Sequence, residues 1–519
     1  MSEPEVTETA HVDVLIVGAG ISGIGAAYFL KTMSPDRSFA ILEGRQDLGG
    51  TWDLFRYPGI RSDSDMHTLG YSFKPWTEAK TIADGPSILN YLRDTASEHG
   101  IDDKINYEHV VTRAEWDSDA ATWTVDAQVG DTKTPSRFTC NFLFMCSGYY
   151  SYKSGYKPDF VGAEDFQGQV VHPQEWPDNL DYTGKKVVVI GSGATAVTIV
   201  PAIADAVESV TMLQRSPTYM VARPDVDKFS QSLRKVLPET TSYGIIRKLN
   251  SARGEFFYNQ TRKRPEKVRE QLLGRARKAL GNEEVAKNFT PTYNPWDQRL
   301  CLMPNGDFFE AIKGENASVI TGCIDQFDAT GILLESGEHL DADIIVTATG
   351  LQLVTVGDMD FIVDGKQVDF STTWTYRGVG YSEVPNMASS FGYINASWTL
   401  RADLTCEFVC RLLNHMRDTD TTVCTPRLRP ADAHMPALPW IQDFESGYMA
   451  RMMPMMPKQG DREPWTNPQS YSRDKKALRK APLEDGAMIF SNPKVPAPSH
   501  AAAEGPGLQR SPTGRDTRR

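Results

Sequence analysis

The sequence predicts an α/β fold made of two Rossmann-like dinucleotide-binding domains with a helical insertion. Two observations predict the paired domains: an apolar strand runs into a glycine-rich turn near the N-terminus, and the same pattern recurs at residues 185–196. A third observation predicts the insertion, because residues 226–289 are charged and poor in strand-forming residue types. The 519 residues suffice for about three domains of ordinary size.

Composition excludes several classes of protein. Hydrophobic residues make up 40% of the chain and charged residues 24%, which excludes a disordered chain, a collagen-like repeat and a coiled coil. The chain carries 55 basic and 67 acidic residues, and the resulting net charge of −12 disfavours nucleic acid as a partner.

Cysteine usage and the N-terminus point to a reducing compartment. The seven cysteines show no metal-ligand spacing, so we expect no metal site, and by default we expect the cytoplasm. Residues 1–10 lack the basic and apolar parts of a secretory signal. No apolar run approaches the roughly 20 residues that span a bilayer, so we expect no transmembrane segment.

The first glycine-rich unit follows a β-branched run at residues 11–17. Gly18 permits a tight turn, Gly20 lets the backbone approach a pyrophosphate, and Gly23 allows close packing of the following helix. Glu43 ends the next strand, twenty residues after Gly23, where a carboxylate accepts hydrogen bonds from ribose hydroxyls. Because this carboxylate repels a 2′-phosphate, the first site is predicted to bind FAD or NAD rather than NADP.

The second unit begins with the strand at residues 185–190 and continues into Gly191 and Gly193. Ala194 and Thr195 open the helix that follows, and we expect all four residues to contact a second dinucleotide. An alanine takes the place of the third glycine, as this motif permits.

The strand after this turn, residues 209–213, has no acidic residue at its tip. Arg215 and Ser216 stand there instead, and an arginine at this position accommodates a 2′-phosphate. The second site is therefore predicted to bind NADP, with a plain surface arginine as the alternative interpretation of Arg215.

Two long motifs lie outside the glycine turns. Residues 166–177 read FQGQVVHPQEWP, which matches F-x-G-x-x-x-H-x-x-x-W-P. Residues 49–63 match G-G-x-W-x-x-x-x-Y-P-G-x-x-x-D. From about residue 10 to residue 490 the chain resembles the class B flavoprotein monooxygenases, the Baeyer–Villiger family, in which both motifs occur.

This resemblance implies FAD bound at the first fold and NADPH at the second. Gly50, Thr51 and Trp52 would belong to the FAD site. NADPH would reduce the flavin, O2 would add at its C4a carbon, and the resulting peroxyflavin would attack a ketone to give an ester or lactone. The implied partners are O2 and a small-molecule ketone or sulfur-containing substrate.

The resemblance also assigns two catalytic residues. Arg299 matches the family's active-site arginine, which would stabilise an anionic peroxide, and Asp63 matches the carboxylate near it, which also faces the cofactor. An ion pair that braces two domains is the alternative for both. Gln298 replaces the lysine that many relatives carry, so phosphate selectivity would rest mainly on Arg215. His172 is expected to govern domain motion rather than bond making.

The expected organisation has five parts. Residues 10–150 form the first part of the FAD-binding domain, and residues 348–492 form its second part. Residues 151–225 and 296–347 form the NADP-binding domain, which is interrupted by the helical insertion at 226–295. Residues 493–519 are expected to be a disordered tail, since they are rich in Pro, Gly, Ala and charge.

Three alternatives stay open. Sulfur oxidation by the same oxygenated flavin is the nearest, and a two-dinucleotide reductase without oxygen insertion is the second, although no C-x-x-C pair follows the first fold. The third is a catalytically silent nucleotide-binding sensor, which the presence of both glycine turns, Asp63 and Arg299 disfavours. For the basic insertion, interleaved Glu266 and Glu270 favour a solvated helix face over peripheral contact with an anionic membrane.

Overall fold

The computed structural model describes residues 7–298, 300–442, 444 and 446–493. The disordered tail expected at 493–519 lies outside these residues, apart from Pro493. The α-helices are α1 (Ile21–Met33), α2 (Thr51–Leu54), α3 (Met66–Leu69), α4 (Gly85–Glu98), α5 (Ala194–Ile203), α6 (Lys228–Arg234), α7 (Glu239–Lys263), α8 (Pro265–Leu280), α9 (Asn282–Asn288), α10 (Asp307–Lys313), α11 (Trp398–Asp418), α12 (Gly447–Met452) and α13 (Tyr471–Lys480).

The strands are mostly short. They are β1 (Thr7–Val17), β2 (Phe39–Leu42), β3 (Ile105–Asn106), β4 (His109–Asp117), β5 (Thr122–Val129), β6 (Thr134–Met145), β7 (Tyr150–Gly155), β8 (Gln169–Val171), β9 (Lys186–Ile190), β10 (Ser209–Gln214), β11 (Met220–Arg223), β12 (Cys301–Pro304), β13 (Ala317–Thr321), β14 (Ile324–Asp328), β15 (Gly331–Leu334), β16 (His339–Asp341), β17 (Ile344–Thr347), β18 (Leu351–Leu353), β19 (Asp360–Val363), β20 (Lys366–Gln367), β21 (Thr375–Tyr376), β22 (Gly380–Tyr381), β23 (Met387–Ser389), β24 (Val423–Pro426) and β25 (Met488–Ser491).

The larger sheet is built around β1. Its order is β20-β19-β4-β5-β6-β1-β2-β3, and β23 pairs with β6. The strand β1 runs parallel to both neighbours, with Val14 opposite Phe39 on one side and Phe142 on the other. Val14 to Val17 are all buried, as expected for a parallel strand covered on both faces. Helices α1 and α11 pack against each other beside this sheet.

The smaller sheet has five parallel strands in the order β13-β10-β9-β17-β8. In the register of this sheet, Val210 lies opposite Val187 and Ile345 lies opposite Val188. Its strands lie within residues 169–214 and 317–347. The larger sheet also holds antiparallel pairs, β4 with β5 and β5 with β6. Two α/β units, each built around parallel strands, confirm the predicted fold class.

The four helices α6 to α9 occupy the chain between β11 and β12. Helix α7 packs on α3 of the first unit as well as on α6 and α8. Among the residues that the structure describes, no helix is long and apolar enough to cross a membrane. Within the same residues, no group of three metal-ligating side chains is found.

Candidate functional site

The first glycine turn joins β1 to α1 and is shaped by positions where a side chain does not fit. Gly18 has a φ of +103°, and a Cβ there would lie 2.6 Å from the carbonyl oxygen of Cys146. A Cβ at Gly23 would lie 1.9 Å from the Gly18 carbonyl oxygen, so glycine at 23 lets α1 approach the turn. Gly20 directly precedes α1. The helix therefore begins at a turn, residues 18–20, whose only side chain is the methyl group of Ala19, and such an arrangement binds a pyrophosphate.

Glu43 lies at the end of β2 with 2% of its surface exposed. Its carboxylate accepts hydrogen bonds from the backbone N–H groups of Ala19, at 2.7 Å, and Arg45, at 2.9 Å. Burial raises the pKa of Glu43, although these two bonds oppose the rise. The carboxylate is thus held against the glycine turn, where each oxygen keeps further acceptor capacity for a ribose hydroxyl.

A second turn packs against the first. Gly49 and Gly50 have φ values of +121° and +57°, and the Gly49 N–H donates to the Ala19 carbonyl at 3.0 Å. A Cβ at Gly20 would lie 3.5 Å from the Cα of Gly50, so the two turns touch backbone to backbone. Helix α2 starts at the next residue. The structure accordingly brings together the predicted residues of the first site, Gly18, Gly20, Gly23, Glu43, Gly50, Thr51 and Trp52.

The second glycine turn joins β9 to α5. Gly191 has a φ of +132°, and a Cβ there would lie 2.3 Å from the carbonyl oxygen of Ala348. Gly193 precedes α5, and a Cβ added there would meet nothing within 4 Å. This open space adjoins the first turn of a ten-residue helix that begins with Ala194 and Thr195. The turn therefore presents accessible backbone at a helix N-terminus, as a phosphate site requires.

Arg215 and Ser216 follow β10 and are both exposed. The hydroxyl of Ser192, inside the glycine turn, donates to the carbonyl of Ser216 at 3.0 Å. The preceding residue, Gln214, is buried, and its amide donates to the carbonyl of Asn288 at 2.7 Å. The strand tip thus carries a cation and a hydroxyl beside the second turn, and no carboxylate.

The YPG part of the 49–63 motif reaches across to the second unit. A Cβ at Gly59, whose φ is +77°, would lie 2.7 Å from the Cβ of Ala202 in α5. The Tyr57 hydroxyl is hydrogen-bonded to the side chain of Thr195, and burial raises the pKa of Tyr57 to about 12. No pattern in the sequence predicts the bond between Tyr57 and Thr195. This bond links the 49–63 segment, which starts at the first site, to the first turn of α5 at the second site.

The structure describes one of the two expected catalytic residues, Asp63. Asp63 lies exposed on the loop between α2 and α3, and after burial its charge is a further cause of the raised pKa of Tyr57. Nearby, Arg61 pairs with Asp307 at the start of α10. Arg299 lies outside the described residues, between Gln298 and Leu300.

His172 lies between the two units. Its Nε2 lies 3.2 Å from the carbonyl oxygen of Gly350, and its Nδ1 accepts the N–H of Gln174 at 3.2 Å. A Cβ at Gly155 would fall 1.8 Å from the imidazole, so the ring fills the space beside β7. Burial lowers the pKa of His172, consistent with a neutral ring that donates from Nε2. These contacts tie the linker motif to the β7–β18 pair through which the chain passes between the sheets.

The N-terminus of α11 meets the first glycine turn. The indole N–H of Trp398 donates to the hydroxyl of Ser22 at 2.8 Å. The indole also stacks on Tyr149, with ring centroids 5.2 Å apart and planes 8° from parallel. Ser397 and Thr68 share a hydrogen bond of 2.6 Å between their hydroxyls. An aromatic wall thus closes one side of the first site.

These features define a chain with two dinucleotide-binding turns held together by direct contacts. A family model described as flavin-binding monooxygenase-like matches residues 11–270. The chain is 51% identical over 494 residues to "FAD-containing monooxygenase EthA" of Mycobacterium tuberculosis, covering 94% of this chain and 99% of that protein. It is 46% identical over 481 residues to "Probable FAD-binding monooxygenase AlmA" of Acinetobacter baylyi, covering 92% and 96%.

Solved structures share the fold. A steroid monooxygenase described as oxidized and bound to NADP superposes with a TM-score of 0.75 at 21% identity, over 93% of this chain and 100% of that one. A closed crystal structure of cyclohexanone monooxygenase gives a TM-score of 0.68 at 20% identity, over 82% and 87%. The chain belongs to the flavin-binding monooxygenase-like family, which confirms the resemblance seen in its motifs.

Proposed function

We propose that this protein is an FAD- and NADPH-dependent monooxygenase of the Baeyer–Villiger type. It would insert one oxygen atom of O2 into a ketone to give an ester or lactone, and would also oxidise sulfides or thioamides. The observation that carries the proposal is the joining of two glycine turns by the YPG segment, in which Tyr57 and Gly59 contact α5. Membership of a flavin-binding family supports FAD as the cofactor of the first site.

The first turn fits FAD. Gly18 and Gly20 keep the turn before α1 nearly free of side chains, Gly23 lets the helix approach that turn, and the buried Glu43 carboxylate lies against it. A pyrophosphate would take the helix N-terminus and a ribose would take Glu43. Gly50 and the two residues after it would form the opposite wall.

The second turn fits NADPH. Gly191, Gly193, Ala194 and Thr195 would hold the pyrophosphate, because the space at Gly193 is open and lies at the N-terminus of α5. Arg215 and Ser216 would take the 2′-phosphate, since they are exposed beside this turn and the strand tip carries no competing carboxylate.

When bound, the flavin supplies hydride acceptance from NADPH and activation of O2, so that one oxygen atom enters the substrate and the other leaves as water. The chain must provide a cation for anionic oxygen and must exclude water. We assign Arg299 to the first task because it matches the family's active-site arginine, and we assign Asp63, the last position of the 49–63 motif, as the carboxylate of the same site. The stacked Tyr149 and Trp398 beside Ser22 suit the second task.

The cysteines count against the reductase alternative. Cys406 and Cys410 are buried in α11, and burial raises the pKa of both thiols, that of Cys410 to about 12. Thiols held protonated in this way are poor redox nucleophiles. All seven cysteines are free, which suits the cytoplasmic location that we propose.

The experiment is a substrate panel with the FAD-loaded protein, in which NADPH oxidation and O2 uptake are followed together and products are identified. Ketone-dependent turnover with ester or lactone formation supports the proposal. Sulfoxide formation without any ester identifies an S-oxygenase instead. Turnover that persists without O2 when an artificial electron acceptor is supplied, with no oxygenated product under air, identifies a reductase.

A further inference from the structure

The first part of the insertion has a charge opposite to that of the whole protein. Residues 226–264 carry nine basic and three acidic residues, whereas the chain has a net charge of −12. One of the three acids, Glu255, is already bound, because its carboxylate accepts the hydroxyls of Ser470 at 2.6 Å and Ser472 at 2.7 Å. This segment is therefore a cationic region on an acidic protein.

Exposed apolar side chains concentrate in the same segment. Within the described residues, the large hydrophobic side chains left exposed there are Phe229 at 51%, Val236 at 75%, Ile245 at 42% and Phe256 at 65%. Single exposed apolar residues are common on protein surfaces, whereas apolar residues that lie together on one face indicate a binding surface.

Two of these residues lie on one face of α7. At 100° per residue, Ile245, Leu249, Ala252 and Phe256 fall within about 60° of one another around the helix. Ile245, Ala252 and Phe256 are exposed and Leu249 is half-buried. The stripe is about 16 Å long, from the helical rise per residue.

Cations border this stripe on both sides. Lys248 lies on one side and Arg253 on the other, and both are exposed. Lys263 continues the same face toward the end of α7 and is also exposed. We call Ile245, Lys248, Leu249, Ala252, Arg253 and Phe256 the α7 outer face; it includes no acidic residue.

The opposite face of α7 anchors the helix. The guanidinium of Arg247 is buried, donates to the carbonyls of His67 and Thr68, and pairs with Asp403 at 3.0 Å. The Tyr243 hydroxyl donates to the carbonyl of Tyr71 at 2.9 Å. Because these buried contacts fix the helix, the exposed apolar residues of the outer face are not needed to hold it in place.

We propose that the α7 outer face binds the surface of an anionic lipid membrane. A helix fixed on the protein with an apolar stripe between two rows of cations lies in the membrane interface, where the stripe enters the acyl boundary and the cations meet phosphate groups. Lys248 and Arg253 supply the electrostatic attraction, and Phe256 and Ile245 supply the apolar contact. Because the protein as a whole is acidic, an anionic surface is attracted to its cationic regions, of which this face is one.

Lipid is favoured over a second copy of the chain by the pattern of the face. An acidic protein partner would be matched by cations alone, whereas here the centre of the face is apolar and the cations form its border. The face lies in the insertion and includes none of the residues assigned to the two dinucleotides, so the inference does not rest on the proposed reaction.

The test is sedimentation of the full-length, FAD-loaded protein with vesicles of phosphatidylcholine containing about one third phosphatidylserine. At low salt the protein should pellet with these vesicles and not with pure phosphatidylcholine, and high salt should release it. The charge variant Lys248→Gln/Arg253→Gln should bind about 25-fold more weakly, because each cation near an anionic surface contributes about fivefold. The apolar variant Ile245→Ser/Phe256→Ser should also lose binding.

The matched control is Lys267→Gln/Lys278→Gln, which removes two exposed cations from α8, and it should bind like the unaltered protein. All variants should oxidise NADPH at the unaltered rate, which shows that they are folded. Failure of the unaltered protein to pellet at low salt overturns the proposal. Equal loss in the α8 control overturns the assignment to α7. The assignment is also overturned if the unaltered protein binds no vesicles and the α7 variants change their oligomeric state.

Discussion

Replacing Arg215 by alanine should change which nicotinamide cofactor the protein uses. The side chain is exposed at the end of β10, beside the second glycine turn, and the neighbouring Gln214 amide is bound to Asn288. A charge-assisted bond from an arginine to a phosphate contributes about 1.5–3 kcal/mol. Exposure to solvent favours the lower half of that range, so Arg215→Ala should reduce kcat/KM for NADPH about 13- to 45-fold.

The assay compares kcat/KM for NADPH and for NADH in steady-state oxidation, at low and at moderate salt. NADH lacks the 2′-phosphate, so its kcat/KM should stay within about twofold, and the loss with NADPH should shrink as salt rises. Arg275→Ala, which removes an exposed arginine from α8, is the control and should alter neither value. An unchanged ratio of NADPH to NADH use, or an equal loss with both cofactors, would refute the role given to Arg215.

Three further substitutions probe other contacts. Burial raises the pKa of Glu43, so folding favours the protonated form of this carboxyl group. In the cofactor-free protein this group therefore adds to the free energy of unfolding as pH falls toward 4.5, and that contribution is lost as pH rises through the raised pKa. Glu43→Gln should flatten that dependence in thermal melts and weaken FAD retention; unchanged FAD retention contradicts the ribose assignment. Gly59→Ala should cost about 2 kcal/mol or more in urea unfolding, from a φ of +77° and overlap with α5, whereas Gly130→Ala, with a φ of +61° and open space, should cost about 1 kcal/mol. Asp403→Asn should cost about 3–5 kcal/mol, because it leaves the buried Arg247 charge unpaired, and a loss below about 1 kcal/mol would contradict that contact.

Local features of the fold could be predicted from the sequence because short-range patterns determine them. The strand expected at 185–190 is observed at Lys186–Ile190, and that expected at 209–213 is observed at Ser209–Gln214. The helix expected after the first glycine turn begins at Ile21, directly after Gly20, so that Gly23 lies in its first turn. Glycine turns leave clear signals because only glycine tolerates the backbone and the close approach that they need.

Contacts between distant parts of the chain left no such signal. The pairing of Arg247 with Asp403 joins residues 156 positions apart, and nothing in a run of basic residues marks Arg247 as the buried one. The bond between Tyr57 and Thr195 and the position of His172 beside Gly155 likewise depend on how the two units pack. Period and composition reveal which face of an element is apolar, but they do not reveal which partner covers it.

Oxygen insertion itself is tested most directly with isotopically heavy O2. The FAD-loaded protein is supplied with NADPH, a ketone and the labelled gas, and the product is analysed by mass spectrometry. The proposal predicts an ester or lactone that carries one heavy oxygen atom, with about one NADPH consumed for each product molecule. Unlabelled product, or complete conversion of NADPH and O2 to hydrogen peroxide with the ketone unchanged, would contradict it.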